Sequence, residues 1–390
     1  MNIRKFALTQ CVTWILVLIV FPAYAGLTLY EKGDSKLSFG SSLQIQYRDI
    51  DAGMNANFSN EIGFRIFRGS LRGSLDKRTR FHIQGEFGQG GSLQGNSARE
   101  LRNFFIEHTF DNEINVRIGN SKFPFSREQL APITAQQSPQ RTLVGVGNSG
   151  TPARQVGIYL SGPRAKFSWD AGLALASVDR DNSQIDINTI IATNDGSIGG
   201  DPKGLLFGGR LQYFPNGYFP PAQGDFDRGP TKLGFAVAAY NWSNEGDTEN
   251  GPAIVDDITG LELSAALRSR GFSVDAQYNR ISASLESPSL EARINGDSSV
   301  FDANGDADLD IFALKGGYIL VPDTLELVLS YTQQDTENYA DTLVESSVGV
   351  NYFIKQHALK FLLSYTEREN VNGIDNNDQD VIRAQFQFLF

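Results

Sequence analysis

Apolar and polar residues alternate one by one over most of this chain. In residues 36–48, Leu37, Phe39, Leu43, Ile45 and Tyr47 share one face, and Lys36, Ser38, Ser42, Gln44, Gln46 and Arg48 share the other. Residues 80–87 divide the same way, with Phe81, Ile83 and Phe87 against Arg80, His82, Gln84 and Glu86. The split returns in residues 166–175, 325–331 and 359–365. It also closes the chain, where Ile382, Ala384, Phe386, Phe388 and Phe390 oppose Arg383, Gln385 and Gln387. A period of two is that of a β-strand, whose side chains point alternately to the two faces of a sheet. Alternation does not say which face is buried. A mean hydropathy of −0.26 fits a soluble sheet as well as one whose outer face meets hydrocarbon.

The connections decide between the two. Very short turns fall at residues 76–79, 111–113, 162–164, 269–271, 322–324 and 354–357. Between them lie longer polar segments at 49–61, 88–99, 122–153, 178–202, 242–257 and 286–308. Short turns on one rim and long loops on the other are the pattern of a membrane barrel. The alternating segments number sixteen, from residues 36–48 to residues 379–390. An even count places both termini on the short-turn, periplasmic side, and a closed sheet of this size encloses water rather than a packed core. The expected fold class is all-β, a sixteen-stranded antiparallel transmembrane β-barrel with short periplasmic turns and long outer loops. One segment breaks the rhythm: residues 215–230 are long where a short turn is due, and the sequence accounts for them only as a tolerated insertion.

The first residues read as an export signal. Arg4 and Lys5 precede an apolar run over residues 11–21, too short to span as a helix, and Ala23-Tyr24-Ala25 supplies a small-residue cleavage site before Gly26. Residues 1–25 are therefore expected to be a signal peptide and residues 26–390 one barrel domain, since no linker or shift of composition divides them. Cys11, the only cysteine, lies in the signal, which leaves the barrel without thiols or disulfides. The whole chain carries a net charge of −11, and losing Arg4 and Lys5 makes the remainder two charges more acidic. Nucleic acid is not an expected partner of so acidic a chain; outer-membrane lipid is.

Residues 117–130 (RIGNSKFPFSREQL) run from a strand ending in a glycine through a basic or polar stretch into a Pro-Phe pair, and residues 154–162 (RQVGIYLSG) form the strand that leaves the long loop. Together with residues 206–213 and 348–365, they resemble the phosphate-selective porin O and P family of Gram-negative outer membranes. The resemblance runs over nearly all of residues 26–390. It implies a homotrimer whose third outer loop folds into the lumen and narrows it, and an anion preference resting on lumen arginines and loop lysines. Residues 122–153 match that loop. They are the longest connection and carry Phe123, Phe125, Leu130, Ile133, Leu143, Val144 and Val146, enough apolar surface to pack against a wall. They hold Lys122, Arg127 and Arg141 but no lysine cluster, so a generic anion-leaning or solute-diffusion pore is the alternative to specific phosphate binding.

Alternation also assigns side chains to the water-facing side. Arg68, Arg72, Arg80, Arg117, Lys166, Arg210, Lys232, Lys315, Lys360 and Arg383 fall on polar faces, with Glu86, Glu107, Asp170, Glu262, Asp275, Glu326 and Glu345. The cations outnumber the acids although the chain is acidic, so the acid excess sits in loops and turns. A lumen rich in arginine concentrates small anions such as phosphate, whose oxygens match the guanidinium fork. The expected ion pathway comprises Arg68, Arg72, Arg80, Arg117, Lys122, Arg127, Arg141, Arg154, Arg210, Lys360 and Arg383. Near Ile66 the alternation changes phase, so Arg65 is compatible with either face. Passive diffusion implies no cofactor. A non-selective or cation-leaning pore is one alternative, and a barrel acting as adhesin or structural protein is another.

Three further signals point elsewhere. Residues 145–150 spell G-x-G-x-x-G, but Thr151-Pro152 follows where a dinucleotide site needs a helix. Asp302, Asn304, Asp306, Asp308 and Asp310 place oxygens at alternate positions as a calcium loop does. Ala307 stands where the sharp turn needs Gly, and the Glu at the twelfth place is missing. His82, His108 and His357 are the only histidines, with no serine motif beside them, so an enzyme is not expected.

Overall fold

The computed structural model describes residues 26–51, 59–88, 100–146, 149–179, 185–189, 203–244, 255–286 and 300–390. The expected signal peptide, the tips of five outer loops, and Gly147 and Asn148 of the glycine motif lie outside the described residues. The first eight strands are β1 (Leu27–Lys32), β2 (Ser35–Asp51), β3 (Ser59–Ser74), β4 (Thr79–Gly88), β5 (Glu100–Thr109), β6 (Asn115–Lys122), β7 (Arg154–Ser161) and β8 (Phe167–Asp179). After β9 (Asp186–Thr189) come β10 (Lys203–Tyr213), β11 (Lys232–Asn244), β12 (Val255–Ser269), β13 (Phe272–Leu285) and β14 (Asp306–Val321). The chain ends with β15 (Leu325–Asp335), β16 (Leu343–Lys355), β17 (Leu359–Glu369) and β18 (Gln379–Leu389).

Sixteen of these strands form one closed antiparallel ring. β2 to β8 pair in sequence, β8 pairs with β10, β10 to β18 continue, and β18 returns to β2. Phe390 completes the seam by exchanging backbone hydrogen bonds with Ser41, at 2.9 and 3.1 Å. The two remaining strands lie outside the ring's count. β9 extends the long-loop end of β8, and β1 pairs with Ser35–Phe39 of β2, below the point where β18 takes over. No sheet edge remains open in the ring, which is the only way a sheet satisfies its backbone in hydrocarbon.

The outward face carries the apolar half of each alternation. Phe67, Phe87, Phe104, Ile118, Ile158, Leu173, Phe207, Leu263, Leu329, Val350 and Leu363 are all exposed on it. Near the short turns, stacked Phe167–Tyr213 (4.8 Å) and Phe272–Tyr318 (4.1 Å) pairs mark an interfacial aromatic girdle. Lys166 reaches over the Tyr213 ring at this rim, at 5.8 Å, so it is not a lumen residue as its polar-face assignment had it. Strand β8 begins one residue later, and the alternation does not extend into the turn.

Bulges re-aim the lumen face. Arg65 is the extra residue where β3 slips against β2, and Arg102 is the extra residue where β5 slips against β4. At Gly119 the backbone takes φ +125°, and a Cβ there would lie 2.1 Å from the Phe104 carbonyl oxygen. Gly119→Ala is expected to cost about 1–3 kcal/mol of strain, read as a smaller heat-resistant folded fraction on gel electrophoresis.

Candidate solute pathway

Residues 123–153 leave β6 and turn into the barrel. The loop opens with the helical turn α1 (Arg127–Leu130), capped by Ser126, whose Oγ accepts from Gln129 N at 3.2 Å. Phe123, Phe125, Leu143 and Val144 join an apolar cluster with Tyr240, Trp242, Ile258, Ile281, Leu309 and Ile311 on the inner faces of β11 to β14. Burying these side chains against one wall fixes the loop there. Its tip then crosses to the far strands. Gln387 donates to Thr134 O at 2.8 Å, Lys360 Nζ to Gln136 O at 2.6 Å, and Asn351 Nδ2 to Gln137 O at 2.7 Å.

The loop's one acid is turned away from the open space. Glu128 is buried; it accepts from Lys315 Nζ, from Thr142 Oγ1 and, at 3.1 Å, from Thr142 N. Arg127 points the same way and pairs with Asp275 at 2.7 Å. Lys122 donates to the carbonyls of Gln129, Leu130 and Ala131, at 2.5 to 3.0 Å, and ties the first turn of the loop to its own strand end. Arg141 donates to Glu128 O and Ala131 O. Burial, with Arg68 and Arg102 nearby, lowers its guanidinium to about 10 against the pull of Glu128, so it stays charged at neutral pH. Lys122→Met removes a charged donor from three carbonyls, each bond worth about 1.5–3 kcal/mol. That variant is expected to show a noisier open-channel current than the parent.

The open space, about 760 Å³, lies between this loop and the inner faces of β2 to β8. Pro124, Leu130, Pro132, Ile133 and Thr134 form its loop side; Arg68, Arg72, Arg117, Arg154, His82, Gln84 and Asn103 form its strand side. The acids on that wall are shared. Glu86 takes Arg68 at 2.5 Å and Arg102 at 3.6 Å. Glu107 takes Arg80 Nε at 2.6 Å and Arg117 Nε at 2.7 Å, and Arg117 also stacks over Phe105 at 4.4 Å. Two guanidiniums on one carboxylate leave each group a net positive charge. Arg72 lies against His82 and Arg154 against Asn103, adding two more cations to this wall. The charges of Arg141, Arg383, Arg68 and Arg102 all bear on Arg65, so the bulged residue joins a cationic cluster rather than the lipid face.

Not every residue expected in the pathway lines it. Arg210, buried against Glu262, and Arg127 and Lys360, equally buried, sit on the opposite side of the lumen. Arg210 and Lys360 face inward as the alternation requires but are covered by the loop, and Arg127, itself a loop residue, is turned to that same side. Arg80 stands at the short-turn end with its side chain 64% exposed. Arg383 is enclosed near Arg48, Arg368 and Glu345. Arg164, which lines the open space, and Arg102, which shares Glu86 with Arg68, are absent from the expected set; the signal for Arg102 is the adjacent Arg102-Asn103 pair, two polar residues where strict alternation allows one. In the acidic loop, Asp302 Oδ1 accepts from Asn304 N and Asp306 N, while Asp308 and Asp310 pair with Arg280. These carboxylates do not converge, and no group of three or more metal-binding side chains occurs among the described residues.

Residues 37–190, which build the arginine wall and the inward loop, match the family model for phosphate-selective porin O and P. No curated protein matches the sequence. Among solved structures, the chain superposes on an anion-selective porin from Comamonas acidovorans with a TM-score of 0.59 and 12% identity, covering 92% of this chain and 100% of that one. It superposes on OmpF of Salmonella typhi in complex with daunomycin at 0.57 and 12%, covering 93% and 100%. OmpT of Vibrio cholerae in its trimer form gives 0.54 and 13%, covering 91% and 100%. At such identities the likeness is one of fold.

Proposed function

We propose that this porin-type barrel, whose residues 37–190 match the phosphate-selective porin O and P family, is an outer-membrane pore for passive diffusion of small hydrophilic solutes with a preference for anions. One observation carries the preference. The water-filled side of the lumen is lined by arginines that outnumber the acids they pair with, and the only acid of the inward loop, Glu128, is buried against Lys315 on the other side. An anion entering this space therefore meets cations on one wall and a nearly uncharged loop on the other. Residues 122–153 act as the constriction, residues 1–25 direct export, both termini lie in the periplasm, and three copies assemble as in the trimeric relatives of this fold. Phosphate is one anion the guanidiniums suit.

Proteoliposome swelling tests this reading. A small organic anion is expected to enter faster than a cation of equal size, with a neutral sugar between them. Equal rates for all three would support a non-selective pore, and no swelling from folded protein would support a structural role.

A further inference from the structure

Residues 214–231, the long connection on the short-turn rim, do not hang in the periplasm. They fold up into the barrel and meet the inward loop from below. Phe214 and Phe219 are buried against Ala266 and Tyr218, and Phe219 lies under both Arg127 (5.4 Å) and Arg268 (5.7 Å). Arg268 Nη2 donates to Ala222 O at 2.9 Å, and Asp225 accepts from Gly271 N at 2.7 Å. Phe226 packs edge-on against Phe353 and His357.

Gln223 joins the two elements. Its N–H donates to Ala135 O at 3.0 Å, its Oε1 accepts from Gln137 N at 2.9 Å, and its carbonyl accepts from His357 Nε2 at 2.9 Å. Burial and the Lys360 charge lower His357 to about 3, so the ring is neutral at physiological pH; with Nδ1 taken by Lys360 Nζ, Nε2 carries the proton this bond needs. Above this junction Gln137 Nε2 donates to Ser273 Oγ and Glu326 Oε1, at 2.7 and 2.6 Å. The lumen-facing Ser273, Asn279, Glu326 and Asn351 are at most 1% exposed, whereas the Arg80 side chain on the opposite wall is 64% exposed.

We propose that residues 214–231 are a second constriction element, inserted from the periplasmic rim, which closes the β11–β17 side of the lumen beneath the outer loop. Solutes then cross only along the β2–β8 wall, and the segment supplies Tyr218 and Pro221 to the border of that path. The proposal concerns where the water runs and holds for any ion preference.

Cysteine accessibility tests it, because Cys11 is the only native cysteine and can be replaced by Ser. In the assembled barrel, Ser42→Cys on the open wall is expected to react rapidly with a small charged methanethiosulfonate reagent. Ser273→Cys is expected to react at least about a hundredfold more slowly, as a site reached only by local opening does. Replacing residues 216–229 with a short turn is expected to bring Ser273→Cys up to the Ser42→Cys rate. It should also roughly double the conductance, as a second aqueous path opens. Equal reactivity of the two cysteines in the parent barrel overturns the proposal even if the shortened variant does not fold. A folded shortened variant with parental conductance and a protected Ser273→Cys overturns it as well.

Discussion

Reversing Arg72 and Arg154 together, as Arg72→Glu/Arg154→Glu, is expected to turn the channel from anion-preferring to cation-preferring. Both side chains line the open space, Arg72 beside His82 and Arg154 beside Asn103. A unit charge about 8 Å from the path is worth about 0.5 kcal/mol in water. Screening at 0.1 M salt roughly halves it. Two reversals raise the energy of an anion and lower that of a cation, so the ratio moves by about 2 kcal/mol, or roughly thirtyfold. Arg68 is a poorer site for this substitution. It is buried on Glu86, and a reversed charge there would also leave two carboxylates facing each other. A change of sign in the zero-current potential of the double variant, with conductance retained, is the expected reading.

The second large effect concerns the loop. Lys315→Met leaves the buried Glu128 carboxylate without its cation, and breaking one partner of a buried pair costs about 3–5 kcal/mol. Glu128 lies in α1 and accepts from Thr142, and so ties the first turn of the inward loop to its returning limb. Its uncompensated charge is expected to draw the loop off the wall toward water. The predicted consequences are larger, fluctuating conductance and a weaker anion preference. Lys315→Met/Glu128→Gln removes both charges and is expected to restore most of the parental current. If Lys315→Met alone behaves as the parent does, the loop is held by its apolar cluster and not by this pair.

The sixteen barrel strands were legible because each side of the wall has its own solvent, and a period of two records that directly. The closing strand through Phe390 and the short turns around Asp111, Asp323 and His357 follow from the same record. Three things were not legible, each for a physical reason. Bulges at Arg65 and Arg102 depend on the register of a partner strand, which a single strand's pattern does not contain. Alternation marks Arg210 and Lys360 as inward but cannot say whether water or another part of the chain meets them there. The 214–231 segment looked like an insertion because its partners, Ala135, Gln137, Gly271 and His357, are distant in sequence and belong to three different connections. The loop tip's hydrogen bonds run to residues more than 200 positions away, so no local window holds them.

The central claim is that the wall formed by β2 to β8 makes the lumen prefer anions, and the most direct measurement is the zero-current potential of the parent barrel in a planar bilayer under a KCl gradient. The account predicts a potential with the sign of chloride permeation that shrinks as salt rises and screens the arginines. A potential with the sign of potassium permeation, in a channel of normal conductance, would contradict it.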